Sequence, residues 1–133
     1  MRVGWIRFIQ KLIMNIEFGY ERLNVWQDAK AITLHIYTIT KGFPSDEKFG
    51  LTSQIRRAAV SVCSNLDEGC TRTTKKEQAR FVEIAFGSLV ELISQLELAV
   101  ALDYINYTDF ENLKYQSIIL KRKLSSYRKS ILA

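Results

Sequence analysis

Residues 74–104 read TKKEQARFVEIAFGSLVELISQLELAVALDY. Phe81, Ala85, Ser88, Leu92, Ala99 and Leu102 recur at steps that keep one face of an α-helix apolar, as far as about Tyr104. Thr74 and Glu77 stand three residues apart just ahead of this run. That spacing makes a capping box, in which each side chain satisfies an orphan backbone donor of the other. A second apolar row, Val82, Phe86, Val90, Ile93 and Val100, lies beside the first and narrows the polar strip to Arg80, Glu83, Gly87, Glu91 and Ser94. A surface helix in a monomeric bundle needs only one stripe, somewhat over 100° wide. One face therefore packs the domain, and the second row is expected to meet another copy of the chain. The bland alternative is a central helix wrapped by its neighbours, but four-helix packing leaves every helix one outer face.

Three more helices follow from the same reasoning. Val25, Ala29, Ile32, Ile36 and Ile39 share a face in a helix that stops at Gly42-Phe43-Pro44. Leu51, Ile55, Ala58, Val62 and Leu66 mark another, starting between Ser45 and Thr52 and ending at Gly69, read as its C-terminal cap. The last opens with Thr108 and Glu111 as a second capping box, and carries Phe110, Leu113, Ser117, Leu120, Leu124, Tyr127 and Ile131. Short links make neighbouring helices antiparallel. The expected fold is all-α, an up-down-up-down antiparallel four-helix bundle over residues 18–133 that assembles as a ring. Within the second of these helices Ala58, Ala59, Ser61, Val62, Cys63 and Ser64 are small, so a neighbour can approach closely. Asn65 shares the apolar face with Ala58 and Val62, and a buried amide there must find partners that fix register or cap a backbone.

The bulk composition agrees. A chain of 133 residues suffices for one domain with its own core, and one proline and six glycines are too few for a turn-rich β architecture. The chain contains no run of about 18 apolar residues, the length that would span a bilayer. Cys63, Cys70 and the single His35 cannot make the usual four-ligand zinc site. Two cysteines in a domain that builds its own core fit reduced thiols in the cytoplasm.

From about Leu23 to Tyr104 a set of short motifs occurs in order: Val25-Trp26-Gln27, Ile36-Tyr37, Phe43-Pro44, Glu47 and Phe49-Gly50-Leu51. Gln54-Ile55-Arg56-Arg57-Ala58-Ala59-Val60-Ser61, Ser64-Asn65 and Glu68-Gly69 continue it. Phe81, Ile84-Ala85, Gly87-Ser88-Leu89, Glu91-Leu92 and Gln95-Leu96-Glu97 complete it. The ordered set resembles the four-helix-bundle family encoded by intervening sequences in bacterial 23S ribosomal RNA genes. The resemblance implies a homopentameric ring. It also implies kinship with the accessory protein of diversity-generating retroelements, which binds a reverse transcriptase and nucleic acid. Two positions depart from the family pattern: Cys63, where proline is frequent, and Asp67, where alanine is common.

Nothing in the sequence points to catalysis or a cofactor. His35 has no neighbour suited to orient it as a base. Asp67 and Glu68 are adjacent on a helix and so point about 100° apart. No phosphate loop or metal box occurs. The expectation is a binding protein. Its one functional signal is basic. After Glu111 the chain has no acid, but it carries Lys114, Lys121, Arg122, Lys123, Arg128 and Lys129. Lys114, Lys121 and Arg128 repeat every seven residues as a stripe bordered by Arg122 and Lys129. Arg72, Lys75, Lys76 and Arg80 form a second cluster, and Arg56 and Arg57 a pair. These residues are the expected contacts to RNA or DNA, through charge and shape, because a homo-oligomer presents each patch several times. A solvated outer face, with cations complementing a helix C-terminus, is the bland alternative for the same residues, and multiplication of each patch in a ring puts nucleic-acid binding ahead of it. A scaffold that binds only protein is the alternative function.

Residues 1–17 stand apart as an N-terminal extension. Trp5, Phe8, Ile9, Leu12, Ile13 and Ile16 have helical spacing, with Arg7, Gln10 and Lys11 opposite. Three readings stay open: a membrane-surface helix, an extra helix covering the bundle, or a true start at Met14. A signal peptide is not expected, because Arg7 interrupts the apolar run and no small-residue cleavage site follows.

Overall fold

A computed structural model describes the backbone of residues 2–17 and 23–133, and the side chains of 3–10 and 23–133. Among the described residues there are five α-helices and no strand: α1 (Arg2–Glu17), α2 (Asn24–Thr40), α3 (Leu51–Cys70), α4 (Lys75–Ala101) and α5 (Tyr107–Leu132). A 3₁₀ turn, Ser45–Glu47, lies between α2 and α3. The expected count of four was therefore one short. The difference is α1, whose apolar periodicity forms a full helix within the N-terminal extension. The boundary expected at residue 18 borders residues 18–22, which lie outside the described residues.

Helices α2 to α5 pack on one another in alternating directions, and the contacts across each seam show it. Thr33 faces Ala59 and Cys63 while Thr40 meets Arg56, so α2 and α3 run opposite ways. Ser61 meets Ser88, and α3's Gly69 lies against Phe81 of α4. Lys114 pairs with Glu97 and Arg128 with Glu83 between α4 and α5. Lys123 of α5 reaches back to Asn24 and Asp28 of α2.

The core is what the apolar spacing requires. Val25, Ala29, Ile32 and Ile36 meet Ile55, Ala58, Val62 and Leu66 from α3, and Phe110, Leu113, Leu120 and Leu124 from α5. Ala85, Leu89, Leu92, Leu96 and Ala99 of α4 complete the layers. Phe43 and Tyr104, with ring centres 5.5 Å apart, close the end where α2 and α4 stop. By length and composition α4 could cross a membrane, with a mean hydropathy of 1.6 over its most apolar stretch. The helix holds no uninterrupted apolar run, because Glu83, Glu91 and Glu97 punctuate it. Here its buried residues belong to the shared core.

Helix ends departed from expectation in two places. Thr74 caps α4 as read, its hydroxyl accepting from the Glu77 amide at 3.2 Å. The cap of α5 is Asn106, which accepts from the Asp109 amide at 2.8 Å, two residues ahead of the expected Thr108. Both pairs have cap spacing, and the helix begins at the earlier one. Gly69 is buried inside α3 and ends nothing; α3 runs on to Cys70. A β-carbon at Gly69 would lie 3.2 Å from that of Phe81, so the glycine permits close approach of α4. Helix α4 turns off without a glycine: Asp103 takes φ 62°, and the Tyr104 amide donates to the Ala99 carbonyl at 2.9 Å.

Candidate nucleic-acid interface

The seven-residue stripe on α5 runs along the seam with α4. A seven-residue step keeps the side chains on one flank of the core face, within reach of the neighbouring helix. Lys114 lies 3.9 Å from Glu97, and Arg128 is ion-paired with Glu83. Between them Lys121 caps the Phe86 ring. Lys123, on the other flank, lies 2.7 Å from Asp28. The acid-free part of α5, after Glu111, is thus partly neutralised by carboxylates of α2 and α4. Arg122 and Lys129 are exposed, and Arg122 lines a groove beside Leu23, Asn24 and Val25 at the start of α2.

The fold brings together basic residues that the sequence separates. Because α4 begins where α5 ends, Arg72, Lys75, Lys76 and Arg80 join Arg122, Arg128 and Lys129 at one end of the molecule. Lys75 donates to the Ala133 carbonyl at 3.3 Å across this junction. Arg72 is held 2.9 Å from Glu68 and its guanidinium lies 4.8 Å from the Phe81 ring centre. Arg80 lies 3.6 Å from Glu77. Lys76, Arg122 and Lys129 are exposed and make no ion pair among the described residues.

Arg56 and Arg57 sit at the opposite end. Arg56 donates to Thr40 at 2.8 Å and stacks 4.6 Å from the centre of the Tyr37 ring, so it largely ties α3 to α2. Beside it opens a groove of about 490 Å³ lined by Tyr37, Lys48, Phe49, Ser53, Arg57 and Val60, among others. Phe49 is 88% exposed, and Lys48 lies 5.5 Å from its ring centre. Aromatic faces among cations suit unpaired bases. Sequence reasoning passed over Tyr37, Lys48 and Phe49, because the 3₁₀ turn that brings them beside Arg57 leaves no periodic signal.

The residues expected at an oligomer interface fall into three environments. Val82 is 3% exposed and serves the core, a correction to its place on an outer row. Phe86, Ile93 and Val100 are half-buried against that core. Val90 is open to solvent, as are Ile84 and Leu98, which the two-row reading did not single out, and Leu102, which it had placed on the core-facing row; Leu102 lies just past the end of α4 and escapes the core. The row divides because packing against both α3 and α5 buries more of α4 than one stripe.

Comparison with family models matches residues 21–126 to the 23S rRNA-intervening sequence protein family. The chain belongs to this family. Among solved structures it is similar to a protein of unknown function from the S23 ribosomal protein family of Bacteroides thetaiotaomicron VPI-5482. The TM-score is 0.73 at 22% identity, over 79% of this chain and 98% of the other, a likeness of fold. No curated protein matches.

In this member of the intervening-sequence family the two departures from the pattern sit together on α3. The half-buried Cys63 has its thiol pushed up by burial, with the Thr33 hydroxyl, 3.6 Å away, acting against that. Burial also raises the Asp67 carboxyl, opposed by the Trp26 indole and assisted by Glu68. Among the described residues no cluster of His, Cys, Asp or Glu could hold a metal. Asn65 has the partners a partly buried amide requires. It donates to the Ser61 carbonyl at 2.8 Å and to the Ser61 hydroxyl at 3.0 Å, and that hydroxyl lies 2.8 Å from Ser88 on α4.

Proposed function

We propose that the chain is a non-catalytic, cytoplasmic homo-oligomer, five copies in a closed assembly, that binds RNA or DNA through its basic end. The observation that carries this reading is the junction of α4's start with α5's end, where Lys76, Arg122 and Lys129 stay exposed beside Lys75 and Arg80. Repetition in the assembly multiplies weak phosphate contacts into useful avidity. The recognition is of charge and backbone shape, since no groove-reading element is present among the described residues. The family's connection to ribosomal RNA genes supports RNA as the ligand. The resemblance to a retroelement accessory protein supports service beside a reverse transcriptase.

Anisotropy titrations with short labelled RNA and DNA strands test it. Arg122→Glu combined with Lys129→Glu should weaken binding about tenfold or more while leaving the fold intact, because both side chains are exposed and neither makes an ion pair among the described residues. Unchanged affinity would refute the placement of the site. The exposed Ile84, Val90, Leu98 and Leu102 favour a second, protein-binding role for α4, and self-association through this face accommodates it.

A further inference from the structure

Every described side chain of α1, from Val3 to Gln10, is exposed. Val3, Trp5, Ile6, Phe8 and Ile9 range from 48% to 66% exposed. Trp5 and Phe8 lie edge to face with ring centres 6.3 Å apart, forming one apolar ridge. In the sequence Leu12, Ile13 and Ile16 keep the three- and four-residue spacing of Trp5, Phe8 and Ile9. The charges are one-sided: Arg2, Arg7 and Lys11 are present, and the first acid is Glu17.

We propose that α1 is a membrane-surface helix that sets Trp5, Phe8 and Ile9 among the headgroups of an anionic bilayer. Arg7 and Lys11 interrupt the apolar residues of α1, which suits a helix lying in the interface plane. An apolar face with aromatic residues and a cationic polar face are the two components of such binding. Anionic lipid supplies the negative charge that α1 lacks before Glu17. A second copy of α1 would cover the ridge but set cations against cations, with no carboxylate before Glu17 to offset them.

The test is co-sedimentation of the full chain with vesicles of phosphatidylcholine alone, and of phosphatidylcholine mixed with phosphatidylglycerol. The wild type should pellet with the anionic vesicles and stay in the supernatant with neutral vesicles or none. Trp5→Glu and Ile9→Glu should each lower partitioning about tenfold or more, with helicity unchanged by circular dichroism, since both side chains are exposed. Three results would overturn the proposal. The wild type could remain soluble with anionic vesicles. Trp5→Glu could pellet as fully as wild type, which would assign binding to the basic end. Or the wild type could pellet without vesicles and Trp5→Glu form a smaller particle, making α1 a self-association element.

Discussion

The Lys121 ammonium lies 5.8 Å from the centre of the Phe86 ring. One residue belongs to the basic stripe of α5 and the other to the second apolar row of α4. In the folded chain they cover each other. The cation shields the half-buried ring, and such a contact contributes about 0.5–1 kcal/mol at an exposed site. Lys121 therefore has a packing role besides any contact with a polyanion.

Stability and assembly should separate on α4. Phe86→Ala removes a ring that packs on the core, and should cost about 1–3 kcal/mol in denaturant unfolding, less than for a fully buried phenylalanine. Val90→Glu alters a side chain that is 47% exposed, and should change stability by no more than about 0.5 kcal/mol. The same substitution should lower the particle mass in light scattering, if α4's outer face joins copies. A Val90→Glu particle of unchanged mass would remove that face from the interface.

Gly87 sits in the middle of α4 on this outer face, and a β-carbon there would meet nothing within 4 Å in the single chain. Gly87→Ala should therefore stabilise the helix by about 0.8–1 kcal/mol, raising the thermal midpoint by about 3–5 °C for a domain of this size. Mass measurement at low concentration should show weaker association in the same variant, because the glycine leaves room for a close neighbour. A gain in both stability and association would contradict that reading.

The apolar positions of α2, α3 and α5 could be read from the sequence because a helical period survives whatever packs on it. Val25, Ile36, Ile55, Leu66, Leu113 and Leu124 are all in the core. What could not be read depends on neighbours distant in the chain. Gly69 suits a cap and a close approach equally, and only Phe81 decides between them. Asn106 and Thr108 both have an acid three residues later, and one of them starts the helix. The acid-free stretch after Glu111 promised an open basic stripe, but Glu83 and Glu97 lie on another helix and no spacing reveals them. The basic end likewise exists only because antiparallel packing puts Lys75 beside Ala133.

Asp67 gives a pH-dependent signature. Burial raises its carboxyl above the ordinary 3.8, so the folded chain holds this proton more readily than the unfolded chain. The associated stability is fully present below the unfolded value and is lost as pH rises through the raised folded value. Asp67→Asn keeps an acceptor for Trp26 and removes the charge. Its melting temperature should exceed wild type at neutral pH, with the gap closing as pH falls through the acid range. A variant less stable than wild type at neutral pH would show that the charge itself is stabilising.

The salt dependence of binding tests the nucleic-acid reading most directly. Anisotropy of labelled single-stranded RNA and DNA is followed across a salt series with the wild-type chain. Each neutralised phosphate releases condensed counterion, so affinity should fall linearly on a log–log scale, by about 0.7 per contact. Strands of unrelated sequence should give similar slopes and affinities, because phosphate contacts carry no base information. No binding even at the lowest salt, where surface electrostatics are strongest, would contradict it and leave the basic end a solvated face.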